Sequence, residues 1–234
     1  MSDESLASLQ DAIGYRFKDP ALLQLAVTHR SYLNENPAYA LGHNERLEFL
    51  GDAVLELVVT EALYARFPET PEGEMTNWRA ALVNAVMLAS VATEFTLNES
   101  LLLSKGEARD TGRARQYILA NAVEALIGAV YLDGGYDAAK EFIGRFVLSH
   151  LDEVLEKKLY KDAKSLLQEE AQEQLGVTPN YEVLQEWGPD HARQFKIGVF
   201  LGAELAGEGE GSSKQEAQQV AAETALANRH WGGR

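Results

Sequence analysis

The chain has 234 residues, 46% hydrophobic and 24% charged, a length that suits one large domain or two smaller ones. It has no Cys, which excludes disulfides and thiolate metal sites. Its formal net charge of −15 argues against a broad nucleic-acid surface, because phosphate binding is driven by Lys and Arg.

The acidity is spread along the chain. Residues 1–159 carry 14 basic and 24 acidic side chains, and residues 160–234 carry 7 and 12. Any contact with a polyanion must therefore use local patches and depend on salt and metal ions. MSDESLASLQ lacks the basic and apolar regions of a signal peptide, and no apolar run near 20 residues stands out. These features set the expectation of a cytoplasmic protein with no membrane association.

In chain order, apolar periodicity near 3.6 predicts helices over Pro20–Arg30, Glu45–Phe67, Met75–Phe95, Tyr117–Leu132 and Tyr136–Leu155. Loop-like stretches NENPAYALGHN, PETPEGE, KGEARDTGRARQ and DGG separate them. A charged tail, DEVLEKKLYKDAK, leads into a linker at 156–161. The period then changes. Asp162 caps a helix, KSLLQEEAQEQL, that stops at Gly176. Tyr181, Val183 and Gln185 mark one strand, and Phe195, Ile197, Val199 and Leu201 a second, with GPDHA as the turn between them. AELAGEGEG makes a third strand, and Ser213 with Glu216 fits a capping box at the start of a last helix. The expected fold is an all-α domain over 1–155 and an α+β domain, α-β-β-β-α, over 162–230.

The chemistry concentrates in HNERLEFLGDAVLELVV. Glu45, Glu48 and Asp52 sit in an otherwise oily helix, where an unpaired carboxylate costs several kcal/mol. At about 100° per residue they span an arc of about 60° on one face. A second oily helix, YILANAVEALIGAVYL, presents Asn121 and Glu124 three residues apart on one face. Two such helices can meet around a cation, and an all-oxygen donor set favours Mg²⁺ or Mn²⁺ over Zn²⁺. The plainer alternative is neutralisation of these acids by Arg46, Arg79 or helix caps.

NERLEFLGDAVL resembles the signature of the ribonuclease III family, which cuts double-stranded RNA. LAVTHRSYLNE, MTNWRAALVNAVMLASVA and LLLSKGEARDTGRARQYILANAVEALIGAVYLDGG resemble the family in the same order. Residues 162–229 resemble its appended double-stranded RNA-binding domain. The resemblance implies a Mg²⁺ site, with Mn²⁺ able to substitute, similar to Glu48, Asp52, Asn121 and Glu124, of which Asp52 and Glu124 carry catalysis. Glu45 matches a signature acid that lies near the RNA. It further implies a homodimer, with Phe49 at the interface, about 40° from Glu45 on the helix wheel. The products would carry 5′-phosphate and 3′-hydroxyl ends with short 3′ overhangs, as in the maturation of ribosomal RNA precursors and other structured transcripts.

In the second domain the resemblance implies RNA contacts by Gln168, His191, Ser213 and Lys214 across successive minor grooves and the phosphates between them. Two departures stand out. Many members have Asp where this chain has Asn121, which removes one negative charge from the site. The last helix begins with Gln215, Glu216 and Gln218 where members carry more Lys or Arg, so binding by this domain alone should be weak; Arg193 and Lys196 could compensate. His29 and Arg30 of THRSY read as support for helix packing. A catalytically silent RNA-binding regulator and a small-phosphate hydrolase are the competing readings; retention of Glu48, Asp52 and Glu124 weighs against the first, and the second domain against the other.

Overall fold

The first helix of the chain, α1 (Asp3–Ile13), has no counterpart among the helices expected from periodicity. The computed structural model describes residues 3–189 and 192–231. The chain divides between Asp152 and Glu153 into two compact units.

In the first unit, Pro20 occupies the opening turn of α2 (Pro20–Ala26), and Asp19 caps it by accepting from the Ala21 N–H at 3.0 Å. The single helix expected over Pro20–Arg30 is instead two. The chain leaves α2 at Val27 and Thr28, bridges to Leu102, and restarts as α3 (Arg30–Glu35) with His29 as its cap. α4 (Glu45–Arg66) begins at a buried Asn44, whose amide donates to the Ala26 carbonyl at 3.1 Å. That bond ties the start of α4 to the end of α2.

The run expected over Met75–Phe95 is also two helices, α5 (Glu72–Val83) and α6 (Ala85–Glu94). Asn84 makes the break: its backbone is extended and its side chain accepts from the Met87 N–H at 2.9 Å. Asn competes with helical bonding in this way, and capping α6 outweighs continuing α5. α7 spans Arg113–Phe146 as two helical stretches joined by a kink at Gly135, whose φ of 79° is left-handed, so the break expected at DGG is present. α8 (Leu151–Glu156) follows a short 3-10 turn.

The core of this unit is the seam of α4 with α7, flanked by α2 and α6. Val54, Leu55, Val58, Val59 and Leu63 meet Val123, Leu126, Ile127 and Val130, all buried. α7 is long and apolar enough to cross a membrane by length and composition, and 56% of that apolar window is buried inside the unit.

In the second unit, α9 (Ala163–Leu175) starts at Asp162, which accepts from Lys164 and Ser165 N–H, and stops at left-handed Gly176. β1 (Pro179–Trp187), β2 (Gln194–Leu201) and β3 (Glu204–Gly211) form an antiparallel sheet in the order β1-β2-β3. Pairing to β2 carries β1 beyond the Tyr181–Gln185 alternation, through a bulge between Val183 and Gln185. α10 (Lys214–Arg229) covers one face of the sheet with α9. Its core is small: Leu166, Leu167, Val199, Leu201 and Leu226 surround Ala171, Ala221, Ala222 and Ala225.

Candidate active site and RNA-binding face

The acids of α4 face α7 because two glycines let the backbones touch. A Cβ on Gly51 would lie 1.7 Å from the Glu124 carbonyl oxygen, and one on Gly128 would lie 2.3 Å from the Leu47 carbonyl oxygen. Any larger residue would force the helices apart. Gly51 lies between Glu48 and Asp52, so the closest approach sets their carboxylates against Glu124. Sequence reasoning did not single out Gly51 or Gly128; an isolated Gly inside each helical pattern was the available signal.

Glu48 and Glu124 are half-buried and Asp52 is exposed. Burial pushes the Glu124 carboxyl up to about 7, and the charges of Asp52 and then Glu48 push the same way. Glu48 is also raised, first by burial and then by Glu45 and Asp52, while the Asn121 amide favours its ionised form. The structure thus brings together Glu48, Asp52, Asn121 and Glu124. Among the described residues no Lys or Arg pairs with these three acids.

Neither Arg46 nor Arg79 pairs with any of these acids among the described residues, and Glu45 is met by other groups. Arg79 goes instead to Glu56 at 2.7 Å and Thr60 at 2.9 Å. Glu45 is met by Arg30 at 3.4 Å and His43 at 3.7 Å. Among the described residues no three His, Asp or Glu side chains are gathered into a ready-made metal cage. After burial, the Asp52 charge acts on both Glu124 and Glu48, and the Glu48 charge acts on Glu124. Their hard oxygen donors and uncompensated charge fit a divalent cation such as Mg²⁺.

Phe49 lies on α4 with 81% of its surface exposed, and Leu57 and Tyr64 follow it at 56% and 75%. Spacings of eight and seven residues keep them on one side of the helix.

In the second unit Gln168 is exposed on α9. Ser213 caps α10 by accepting from the Glu216 N–H at 3.1 Å, and Lys214 opens the helix with its ammonium 5.6 Å from the Phe195 ring centroid. Glu216 accepts from the Ser212 N–H and hydroxyl. His191, with Asp190 of the GPDHA turn, falls outside the described residues.

Arg193 and Lys196, which could compensate for the thin patch, each face a carboxylate. Arg193 pairs with Glu186 and Lys196 with Glu208, each at 2.8 Å. Their strand neighbours are acidic, a tertiary fact that no local pattern reveals. Among the described basic residues of this unit, only Lys164 and Lys214 form no side-chain ion pair, although the Lys164 charge still acts on Asp162. Lys164 donates to Gln218 at 2.7 Å, and sequence reasoning overlooked it.

A helical unit with a carboxylate cluster, joined to an α-β-β-β-α unit with a cationic helix start, defines a hydrolytic protein that handles nucleic acid. The family model described as Ribonuclease-III-like matches residues 19–151, and the double-stranded RNA binding motif matches 163–229. The chain is 46% identical to Ribonuclease 3 of Protochlamydia amoebophila, covering 94% of this chain and 90% of the relative. It is 48% identical to Ribonuclease 3 of Desulfotalea psychrophila, covering 94% and 91%. The solved nuclease domain of ribonuclease III from Campylobacter jejuni superposes with a TM-score of 0.57 at 39% identity, covering 64% of this chain and 97% of that domain. The chain belongs to the ribonuclease III family, and it is an endonuclease of double-stranded RNA.

Proposed function

We propose that the chain is a Mg²⁺-dependent, cytoplasmic, homodimeric endonuclease that matures ribosomal RNA precursors and other structured transcripts. Its products carry 5′-phosphate and 3′-hydroxyl ends with short 3′ overhangs, and Mn²⁺ substitutes for Mg²⁺. The observation that carries the metal reading is the uncompensated acid set, with Glu124 raised to about 7 by burial and by its carboxylate neighbours.

Glu48, Asp52, Asn121 and Glu124 would hold the ion, with Asp52 and Glu124 as the catalytic pair. When bound, the ion supplies positive charge at the scissile phosphate and polarises the attacking water. The chain's own part is to hold four oxygen-bearing side chains on two rigid helices and to leave Asp52 open to the substrate side. Glu45, held by Arg30 and His43, flanks that opening and faces the RNA. Gln168, His191, Ser213 and Lys214 anchor the duplex: the start of α10 offers N–H donors and a favourable dipole to phosphate.

The homodimer is supported by the exposed stripe of Phe49, Leu57 and Tyr64, more apolar surface than one helix of a monomer usually shows to water. The Campylobacter jejuni nuclease domain has a region involved in dimer formation.

The test is a labelled RNA duplex incubated with pure protein, with and without Mg²⁺, alongside the Glu124→Gln variant. Cutting only with metal, lost in the variant while duplex binding persists, is the expected outcome. Metal-independent cutting, or wild-type turnover by the variant, contradicts the assignment.

A further inference from the structure

In an antiparallel sheet with one covered face, the residues that point to water are usually polar. The second unit breaks that pattern at the centre of its sheet. α9 and α10 cover one face, where Val199, Leu201 and Ala206 are buried. Gly198, between buried Ile197 and Val199, points to the other face. Three apolar side chains lean over it. A Cβ on Gly198 would lie 2.8 Å from a Leu205 methyl, 3.0 Å from a Leu184 methyl and 3.2 Å from the Phe200 ring. Leu184 and Leu205 are 41% and 44% exposed. Leu184 is on β1, and Phe200 of β2 pairs with Leu205 of β3, so the apolar patch crosses all three strands.

Carboxylates surround this patch. Glu182 and Glu208 pair with Gly198 from either side, and Glu210 pairs with Lys196, so these charged side chains share the open face. All three acids are exposed. Lys196 is held by Glu208 at 2.8 Å, and the Glu210 charge acts on it as well. Three carboxylates against one ammonium leave the face net negative.

That charge decides what can cover the patch. A nucleic-acid duplex or an anionic lipid surface is repelled. A second copy of the same face would bring like charge against like charge. A polypeptide segment that carries Lys or Arg beside aliphatic side chains meets both features at once. Its apolar groups cover Leu184, Phe200 and Leu205, and its cations meet Glu182 and Glu210. We infer that the open face of this sheet docks such a cationic, aliphatic segment of a partner protein. The duplex contacts proposed for Gln168, Ser213 and Lys214 belong to the helices on the opposite side of the sheet, so partner and duplex do not compete for this unit.

The probe is a synthetic peptide of alternating Leu and Lys, titrated into full-length protein with isotope-labelled Leu methyl groups and no RNA. The controls are a Ser–Lys peptide of the same charge and a Leu–Glu peptide of the same spacing. The Leu–Lys peptide is expected to shift the Leu184 and Leu205 methyl signals to saturation, and neither control should do so. Leu205→Ser is expected to weaken that binding about tenfold, the worth of one buried Leu. Glu210→Gln is expected to weaken it about threefold, the worth of an exposed charge pair. No saturable shift at these two residues, equal shifts with either control, or unchanged affinity in either variant would overturn the proposal. If Leu205→Ser lowers the melting transition of the second unit, Glu210→Gln, a surface change, is read alone against the same expectation.

Discussion

The contact of α4 with α7 and the contact of α10 with β3 meet the same steric demand. In the first, a Cβ on Gly51 would lie 1.7 Å from the Glu124 carbonyl oxygen; in the second, a Cβ on Gly209 would lie 2.2 Å from the Ala221 amide nitrogen. The neighbours of the glycines differ. Gly51 is flanked by Glu48 and Asp52 and faces Glu124, whereas Gly209 faces the buried alanines Ala217 and Ala221. Close approach in the second unit yields a thin, electrically quiet platform under Ser213 and Lys214. In the first it presses three carboxylates toward one another and raises two of them. Proximity alone is neutral; the residues beside the glycine decide whether it becomes packing or chemistry.

The largest effect should come from breaking each contact in turn. Gly51→Ala forces backbone from backbone, and overpacking of this kind costs about 3 kcal/mol or more. The helical unit should melt about 10 °C lower and lose cutting, while the second unit still binds duplex RNA. Gly209→Ala should do the reverse, unfolding the second unit while metal-dependent cutting remains measurable at low salt. Calorimetry with a cutting assay checks both, and joint loss of the two units in either variant would refute their independence.

Next in size is the chemistry itself. Glu124→Gln keeps the shape and removes the charge, and cutting should fall at least about 100-fold, several kcal/mol of transition-state stabilisation. Asn121→Asp sharpens the same point. A fourth carboxylate beside Glu48 should lower the melting temperature of the metal-free protein and also lower the Mg²⁺ needed for half-maximal rate. A requirement that stays the same or rises would mean Asn121 is not a ligand.

The stability of metal-free protein should also report the cluster through pH. Glu124 titrates near 7 folded and near 4.5 unfolded, so between these values the folded state binds more protons. Stability therefore rises as pH falls from about 7 to 4.5, with Glu48 adding in the same direction. Glu124→Gln should flatten that slope in melts recorded from pH 8 to 5. An unchanged slope would remove Glu124 as its source.

The smallest effect belongs to the quiet platform. With Lys164 and Lys214 as its only described cations outside a side-chain ion pair, Lys214→Ala should weaken all duplex sequences about equally. The slope of log affinity against log salt should become shallower by about one unit. A slope equal to wild type would place the phosphate contact elsewhere.

The α-β-β-β-α order, the caps at Asp162 and Ser213 and the stop at Gly176 were legible because each is a local competition between a side chain and its own backbone. The acid arc of α4 was legible because a carboxylate in an oily helix contradicts its surroundings. Asn84 obeys the same capping rule, yet an unbroken apolar period over Met75–Phe95 hid it. Partner choice stayed hidden. Nothing near Lys196 in sequence predicts Glu208 across the sheet, and nothing near Arg30 predicts Glu45 at the mouth of the site. Gly51 was visible, but its meaning depends on Glu124, which is 73 positions away in the chain.

The central claim is that the helix crossing holds a carboxylate set whose repulsion a divalent cation relieves. Its most direct test needs no RNA: the melting transition of the helical unit, the one that Gly209→Ala leaves in place, followed against Mg²⁺ near pH 8. Wild type should gain several degrees and saturate, by roughly RT ln(1 + [Mg²⁺]/Kd) of added stability, and Glu124→Gln should gain little. No gain in the wild type, or the same gain in both proteins, would contradict the account.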